Sequence, residues 1–206
     1  MTASPRLYVF VRAPMLGAVK RRLAADIGEV AALRFYRDAT DRLLRRLGRD
    51  RRWDTVLAVT PDRAADGASP WAPGFARVGQ GGGDLGARMG RILAADPAAP
   101  VAIVGSDIPD LAPRHVSAAF AALRGADLAF GPAADGGYWL VGRRPGLPTR
   151  GLFENIRWSS PHALADTSAN VPPGRRIALL DMLEDVDDGE GYARWRLRRN
   201  ARRGVR

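Results

Sequence analysis

The stretch Val101–Leu111, VAIVGSDIPDL, decides the fold expected of this chain. Residues 101–104 are apolar without a polar break, which is typical of a strand buried on both faces of a parallel sheet. A glycine and a serine end the run, and Pro109 prevents direct continuation as a strand or helix. Asp107 therefore follows the carboxyl end of a buried strand, where open α/β sheets bind ligands. Its carboxylate either holds a divalent cation against phosphate oxygens or caps the next turn.

The composition is that of one soluble domain spanning residues 1–206. The chain is 46% hydrophobic, and its 23 glycines and 15 prolines predict many loops. It has no cysteine, which excludes disulfides, thiol nucleophiles and cysteine-ligated metals. The first residues do not have the pattern of a signal peptide, and no apolar run reaches the ~20 residues of a membrane span. We therefore expect a cytoplasmic protein with no membrane span.

The formal net charge of +10 favours anionic partners, but the charge is unevenly distributed. Residues 194–206, RWRLRRNARRGVR, contain seven arginines and no acid. We interpret them as the basic end of a solvated C-terminal helix, an arrangement that the helix dipole favours. The alternative is a tail that binds nucleic acid or anionic lipid. The rest of the chain is mildly basic, as in a protein that handles phosphate, and nucleic acid is not the expected partner.

Strands and helices alternate through the first 130 residues, which predicts βαβ units. The expected fold is a single-domain, three-layer α/β/α structure with a mostly parallel mixed sheet. Predicted strands span 7–11, 53–59, 75–78, 101–104, 127–130, 138–141 and 176–180, and predicted helices span 29–47, 85–95, 113–123, 161–169 and 189 onwards. Only a glycine turn separates the strand at Tyr138 from the preceding one, so we expect it to be an antiparallel edge strand.

The loop from Arg12 to Arg22, RAPMLGAVKRR, follows the first strand and leads into a helix. Gly17 lets the backbone approach a ligand closely, and a helix N-terminus offers free N–H groups to an anion. Lys20, the only lysine of the chain, and Arg22 add a point charge and a bidentate fork. The loop lacks the spacing of a Walker A or G-x-G-x-x-G motif. Phosphate binding is therefore one hypothesis, and a surface lysine retained by chance is the other.

Two glycine-rich turns supply further candidates. In the segment QGGGDLGARM, residues 80–89, the backbone suits wrapping round a base or sugar; Gln80 is a candidate for reading a base edge and Asp84 for either ligand contact or helix capping. In GPAADGGYW, residues 131–139, Asp135 returns to the edge of the sheet that carries Asp107 if the sheet is parallel. Two carboxylates facing one cleft suggest metal binding or a general base, and a simple hairpin turn is the alternative.

The acidic segment EDVDDGE, residues 184–190, is the last candidate. Asp187 and Glu190 have nearly the spacing of a capping box, and helix capping is the better explanation of this motif alone. The same carboxylate is still free to contact a metal. The two histidines, His115 and His162, are isolated in sequence and are interpreted as packing or surface residues.

Taken together, six segments resemble the bacterial glycosyltransferases of the arsenosugar-biosynthesis type. They are PMLGAVKRRL, QGGGDLGARM, VGSDIPDL, GPAADGGYWLVG, LFENIRWSS and EDVDD, and the resemblance extends from about Leu7 to Tyr192. That family belongs to the nucleotide-diphospho-sugar transferase superfamily, with the glycosyltransferase-A fold. Two positions depart from its pattern, since Arg21 stands where a threonine is usual and Ala87 where an acid is usual.

The resemblance implies a nucleotide bound over the first loop through Gly17, Lys20 and Arg22, and a divalent metal, Mg²⁺ or Mn²⁺, at Asp107. Asp187 matches the second metal-binding aspartate of related sugar-nucleotide synthetases. With the motifs above, the candidate nucleotide-binding residues are Arg12, Pro14, Gly17, Lys20, Arg22, Gln80, Gly83, Asp84 and Arg88. Asp135 is the candidate catalytic base, and the acceptor-side candidates are Gly136, Gly137, Tyr138 and Trp158.

The function expected on this basis is metal-dependent transfer of a sugar from a nucleotide-sugar donor to a small-molecule acceptor. The N-terminal pattern also resembles the 2-phospholactate guanylyltransferases, which leaves nucleotidyl transfer as an alternative. Both reactions need the same metal electrostatics. A third hypothesis is a non-catalytic protein that binds nucleotide or nucleic acid through the basic tail.

Overall fold

The structure is a computed structural model that describes residues 3–66, 70–71 and 73–204, with side chains described to residue 201. Its strands are β1 Arg6–Arg12, β2 Asp54–Thr60, β3 Ala76–Gly79, β4 Val101–Gly105, β5 Leu128–Pro132, β6 Tyr138–Arg143 and β7 Ile177–Leu179. Its α-helices are α1 Arg21–Ile27, α2 Glu29–Leu47, α3 Leu85–Ala94, α4 Pro113–Ala122, α5 Ala163–Ala169 and α6 Gly189–Gly204, with a short 3₁₀ helix at Asp62–Ala64. Residues 205–206 of the predicted basic end lie outside the described residues.

The strands form one sheet in the order β3-β2-β1-β4-β6-β5-β7. Parallel pairs join β1 to β2 and β4, β2 to β3, and β5 to β7. Strand β6 is antiparallel to both of its neighbours, β4 and β5, so β5 runs in the same direction as β4. The loops that follow β1, β4 and β5 therefore all leave the sheet at its carboxyl edge.

The predicted antiparallel direction of β6 is confirmed, but its predicted position at the edge of the sheet is wrong. The strand lies in the interior and is hydrogen-bonded on both sides. The apolar residues 139–142 are all buried, and so is Arg143, whose guanidinium donates to the backbone carbonyls of Leu93 and Ala99. The short hairpin turn fixes only that β5 and β6 are neighbours, and burial decides which of the two pairs with β4.

Helices cover both faces of the sheet and complete the three predicted layers. Alternate residues of β1 separate the two cores, because Leu7, Val9 and Val11 face one side and Tyr8 faces the other. On the first side they pack with α2 and α4, and on the second with α3. A third cluster joins α1, α2 and α6 through Leu23, Phe35, Val186 and their neighbours. No helix in the described part of the chain has the length and apolar character needed to cross a membrane.

Candidate active site

Three carboxylates meet at the carboxyl edge of the sheet. Asp107 follows β4, while Asp185 and Asp187 follow β7, and one oxygen from each lies within 4.8 Å of the others. The backbone holds these segments together, because the Val186 N–H donates to the Asp107 carbonyl at 3.2 Å. The Val186 side chain is fully buried in the third cluster. In an extended segment its two neighbours then face the opposite way, towards Asp107.

Lys20 inserts its ammonium among these carboxylates. Its Nζ donates to Asp107 Oδ2 at 2.8 Å and to Asp187 Oδ1 at 3.3 Å, and its side chain is only 5% exposed. Lys20 has a left-handed backbone, with φ of 49°, directly before α1. Arg22, near the start of that helix, pairs with Asp187 Oδ2 at 3.0 Å. The single lysine is therefore part of a charged network and not a chance surface residue.

The charges of this network shift the pKa values of Lys20 and of two of its neighbouring aspartates. Burial by itself lowers the pKa of Lys20, but Asp107, Asp187 and Asp185 outweigh it and the pKa is raised. Burial likewise tends to raise the pKa of Asp107, but the Lys20 ammonium lowers it overall. Burial, followed by repulsion from Asp107 and Asp135, raises the pKa of Asp185 to about 6. The cluster thus holds more negative charge than Lys20 can neutralise, which is a condition that favours a bound cation.

Asp187 does not cap the following helix. Asp188 takes that place, because its Oδ1 accepts a hydrogen bond from the Gly191 N–H at 2.8 Å, at the start of α6. The capping explanation of Asp187 is therefore wrong by one residue. Since its neighbour caps α6, the Asp187 carboxylate is available to Lys20 and Arg22.

Asp135 lies on the turn between β5 and β6, on the side of the cluster. It is exposed, and its Oδ1 accepts a hydrogen bond from the Gly137 N–H at 2.9 Å. That bond is the local turn interaction expected of an Asp-Gly-Gly hairpin. Its charge contributes to the raised pKa of Asp185, so the two carboxyl groups are close enough to interact. The structure thus supports the turn interaction and also brings the Asp135 charge near enough to affect the Asp185 carboxyl group.

The predicted space for an acceptor at Gly136 is filled by protein. A Cβ on this residue would collide with the backbone of Pro161, and its φ of 84° lies in the left-handed region. Tyr138 packs edge-on against Phe130, with ring centroids 5.3 Å apart, and burial raises its pKa. Gly137 is the residue of this turn that contacts Asp135. The part of the acceptor-side prediction that rests on space at Gly136 is wrong, because the loop before α5 packs there.

Trp158 lies in a second aromatic contact beside α3. Its ring centroid is 6.3 Å from that of Phe153, and both side chains lie against Gly86 of the helix. The indole nitrogen is buried and has no hydrogen-bond partner among the described residues. The ring is partly exposed, which leaves its acceptor-side role a prediction.

The first loop is anchored at its start and exposed at its tip. The Tyr36 hydroxyl bonds both the N–H and the carbonyl of Arg12, at 2.8 and 2.9 Å. Arg12 Nη1 reaches back to the Ala18 carbonyl at 3.5 Å, Pro14 is half-buried and Gly17 is exposed, with a φ of 71°. The loop therefore presents backbone at the mouth of the site beside Lys20.

The glycine turn after β3 is held by side chains that the sequence pattern assigned to a ligand. Gln80 is only 4% exposed, and its amide donates to the carbonyls of Val11 and Ala58, so the predicted reading of a base edge does not fit this geometry. Asp84 caps α3 by accepting the Ala87 N–H at 2.8 Å. Arg88 Nε donates to the Gly83 carbonyl at 3.0 Å. These bonds fix the turn, and the exposed backbone at Gly83 is what it offers to a ligand.

Asp185 is the residue of the site that the sequence analysis did not select. It lies two positions before Asp187 in the acidic segment, and alternate residues of an extended chain share a side. That spacing was the available signal. It was obscured because four acids occur in five residues and the following helix offered another use for them.

Comparison with protein families gives a match over residues 43–160 to the family described as "Uncharacterized protein conserved in bacteria (DUF2064)". The chain belongs to this family. The match begins in α2 and contains β4, Asp107 and Asp135, but neither Lys20 nor the acidic segment. No curated protein matches the chain.

Solved structures show which architecture this DUF2064 member shares. A protein of Desulfovibrio desulfuricans G20, described only provisionally as a nucleotide-diphospho-sugar transferase, is 30% identical; the match covers 90% of this chain and 83% of that one, with a TM-score of 0.75. Rv0371c of Mycobacterium tuberculosis, solved with manganese, is 18% identical over 93% of this chain and 97% of that one (TM-score 0.52). CMP:2-keto-3-deoxy-manno-octonic acid synthetase, solved with CTP, is 12% identical; the match covers 97% of this chain and 100% of that one, with a TM-score of 0.58. The fold is that of nucleotide-diphospho-sugar transferases and related nucleotidyltransferases.

The donor atoms at the cluster suit a hard divalent cation. Mg²⁺ and Mn²⁺ prefer carboxylate oxygens, and Asp107, Asp185 and Asp187 each supply one within the 4.8 Å separation. Asp185 is the carboxyl group that Lys20 does not hydrogen-bond, and its pKa is raised first by burial and then by the neighbouring carboxylates Asp107 and Asp135. The residues present therefore fit the metal that the resemblance implied, with Asp185 as an added candidate ligand.

Proposed function

We propose that this protein is a metal-dependent glycosyltransferase that moves a sugar from a nucleotide-sugar donor to a small-molecule acceptor. The observation that carries the proposal is the contact of Lys20 with Asp107 and Asp187, beside Asp185, at the carboxyl edge of the sheet. A nucleotide diphosphate needs both cation and fixed positive charge, and this network holds a place for each. The 30% identity to the Desulfovibrio protein supports the nucleotide-sugar class.

The donor would be held by the exposed backbone of two loops and by two side chains. Gly17 and Gly83 lie at the loop tips, where backbone can approach a ribose or phosphate. Lys20 and Arg22 supply the positive charges for the diphosphate. A divalent cation held by the three aspartates would supply electrostatic stabilisation of the departing nucleotide. Each protein group then acts on the charge that develops on the leaving diphosphate.

Asp135 is the group proposed to receive the proton of the acceptor. It is exposed at the cleft, while Gly137 fixes one of its oxygens and leaves the other unbonded within the described residues. A carboxylate in that position can act as the general base that an inverting transfer requires. Tyr138 and Trp158, both partly exposed, are the side chains proposed to border the acceptor.

Nucleotidyl transfer is the second candidate. A shared fold with a synthetase solved with CTP supports it at the level of architecture, and the Lys20 network suits a triphosphate as well as a diphosphate. In that reaction the same charges would stabilise departing pyrophosphate, and no sugar-transfer base would be needed.

The two candidates are separated by the product released. The purified full-length protein is incubated with UDP- or GDP-sugars and, in parallel, with nucleoside triphosphates, with Mn²⁺, Mg²⁺ or chelator. Metal-dependent release of nucleoside diphosphate from a nucleotide-sugar, absent in Asp107→Asn, supports the glycosyltransferase. Pyrophosphate release from a triphosphate supports the second candidate. A bound ligand raises the melting temperature of a protein. If neither nucleotide-sugars nor nucleoside triphosphates raise it here, both candidate functions are overturned.

A further inference from the structure

A groove between α2 and α6 lies away from the acidic cluster. It has a volume of about 1170 Å³, and Pro109 and Asp110 line it together with the two helices. Neither Lys20 nor any of the three clustered aspartates lines it. We refer to this cavity as the α2–α6 groove.

The groove is strongly basic. Its lining includes seven arginines but only three carboxylates, Glu29, Asp38 and Asp110. The arginines are Arg34, Arg42, Arg45 and Arg46 on α2 and Arg196, Arg198 and Arg199 on α6. Residues far apart in sequence are thus concentrated on one surface, which produces a local field much stronger than the net charge alone implies.

Four of these arginines have neither a carboxylate nor a hydrogen-bond partner for the side chain in the part of the chain that the structure describes. Arg198 pairs with Glu184 and Asp110, and Arg42 lies 3.9 Å from Asp38. Arg46 donates to backbone carbonyls at Arg42 and Pro109. The remaining four are Arg34, Arg45, Arg196 and Arg199. Their charges are available to an anionic ligand.

Aromatic side chains position two of the four. Tyr192 and Trp195 pack edge-on against Phe35, with centroids 5.3 and 5.1 Å from it. Arg196 lies over the Tyr192 ring at 5.8 Å, and Arg199 over the Trp195 ring at 5.3 Å. A guanidinium held on a ring loses little further freedom on binding, and its N–H groups stay free for phosphate. Unpaired bases stack on such guanidinium and aromatic planes.

The size and shape of the groove favour an elongated ligand. Its volume exceeds the ~300–1,000 Å³ typical of small-molecule pockets. Helix α2, which lines it from end to end, has 19 residues and is therefore about 28 Å long. A lipid surface is flat and would contact only the rims of a concave site. In a nucleic-acid duplex the bases are paired and stacked inside, so they would not reach the Tyr192 and Trp195 rings that line the groove.

We propose that the α2–α6 groove binds single-stranded nucleic acid, through phosphate contacts from Arg34 and Arg45 and base stacking beside Arg196 and Arg199. We expect the binding to depend little on the nucleotide sequence, because neither phosphate contacts nor stacking contacts read the edges of the bases. The C-terminal arginines alone did not make nucleic acid the expected partner. In the folded chain the arginines of α2 lie beside those of α6, and the Tyr192 and Trp195 rings line the groove between them.

The test is fluorescence anisotropy of the full-length protein with a labelled oligonucleotide of about 12 nucleotides, at about 50 and 200 mM salt. The variant is Arg34→Glu/Arg45→Glu. The matched control is Arg124→Glu/Arg150→Glu, two exposed arginines outside the groove that give the same change in net charge. We expect a loss of affinity of ~10-fold or more in the groove variant and less than ~2-fold in the control. Melting curves establish that both variants are folded.

Neutral variants give a second measurement. For Arg34→Gln/Arg45→Gln, the slope of log affinity against log salt should fall by about 0.7 for each phosphate that the variant no longer neutralises. For Arg196→Gln/Arg199→Gln, affinity for the oligonucleotide should fall more than affinity for inorganic polyphosphate, because only bases stack.

Four results would overturn the proposal. They are absence of oligonucleotide binding at low salt, equal losses in the groove variant and its control, polyphosphate bound as tightly as the oligonucleotide, and displacement of the oligonucleotide by anionic vesicles. The last two would assign the groove to bare polyanions or to membrane surfaces. None of these measurements depends on transferase activity, so the proposal is tested independently of the proposed function.

Discussion

At the scale of single residues, Lys20 has the most consequential position, because its ammonium lies where a divalent cation would share its partners. Replacing Lys20 with Met removes the charge that partly neutralises Asp107 and Asp187. We expect the metal-free variant to be less stable by about 1–3 kcal/mol, since the buried Lys20 ammonium is removed from carboxylates that are themselves partly exposed. Mn²⁺ should then raise its melting temperature more than that of the wild type, because the ion replaces the missing charge.

The same variant tests the phosphate contact. Affinity for a nucleoside diphosphate should fall ~10- to 100-fold, while affinity for the nucleoside changes little. Isothermal titration with both ligands measures the difference. Arg21→Met is the matched control, since Arg21 is exposed and makes no ion pair among the described residues. Equal losses for the diphosphate and the nucleoside would contradict phosphate binding by Lys20.

Asp185 gives a pH-dependent prediction. Its folded-state pKa of about 6 lies above the reference value of 3.8, so ionisation opposes folding and stability is lost as pH rises from about 4 to 6. Asp185→Asn removes this penalty and should stabilise the metal-free protein by roughly 2–3 kcal/mol at about pH 8, and by much less near pH 4. Urea unfolding at both pH values measures it. With saturating Mn²⁺ at about pH 8 the order should reverse if Asp185 is a ligand.

Substitution of Asp135 distinguishes a catalytic role of its carboxylate from a role in forming the turn. Asparagine keeps the side-chain oxygen that accepts the Gly137 N–H, but it cannot accept a proton. For Asp135→Asn we expect wild-type melting and nucleotide affinity, with turnover reduced ~10²-fold or more. Steady-state kinetics with a nucleotide-sugar from which the wild type releases nucleoside diphosphate measures this. Normal turnover would leave the aspartate cluster as the only chemical group of the site.

At the scale of elements, the β5–β6 turn is fixed by the loop that precedes α5. Gly136→Ala combines a left-handed φ of 84° with a collision against Pro161. Gly174→Ala is the control, because Gly174 has a φ of 82° but nothing within 4 Å of an added Cβ. The control should lose about 1–2 kcal/mol of unfolding free energy, and Gly136→Ala distinctly more. Equal losses in denaturant unfolding would show that Pro161 can move aside.

The first half of helix α6 packs against α2 through Tyr192 and Trp195, and its second half is rich in arginine. Truncation after Leu197 removes the Arg198 pairs with Glu184 and Asp110, whose side chains are partly exposed. Such pairs contribute at most about 1 kcal/mol each, so the melting temperature should fall by only a few degrees. Nucleotide affinity should not change, because no described residue of this segment lies in the site. A large loss of affinity would place the basic end at the nucleotide.

At the scale of the whole molecule, the sequence analysis predicted the architecture better than the neighbours of each strand. Apolar runs such as that at Val101 and the helical spacing of 29–47 identify elements from local patterns alone, and both are confirmed. The interior place of β6 depends on pairing with β4, which no local pattern contains. Asp107 and Asp187 were selected separately, and the sequence could not show that Lys20 joins them. Gln80 was misassigned because a polar residue in a glycine turn looks the same whether it faces ligand or backbone.

The bonds from Lys20 to Asp107 and Asp187 span 87 and 167 residues of sequence. Contacts between such distant segments form late, because each requires a long stretch of chain to be ordered first. During synthesis, Lys20 and Asp107 leave the ribosome well before the acidic segment that completes their network. The nascent chain can build β1, α2 and β2 early, but it has no complete ligand set until nearly its last helix. A chain that ends before Asp187 would therefore contain β1, α2 and β2 but would lack part of the carboxylate set that surrounds the Lys20 ammonium.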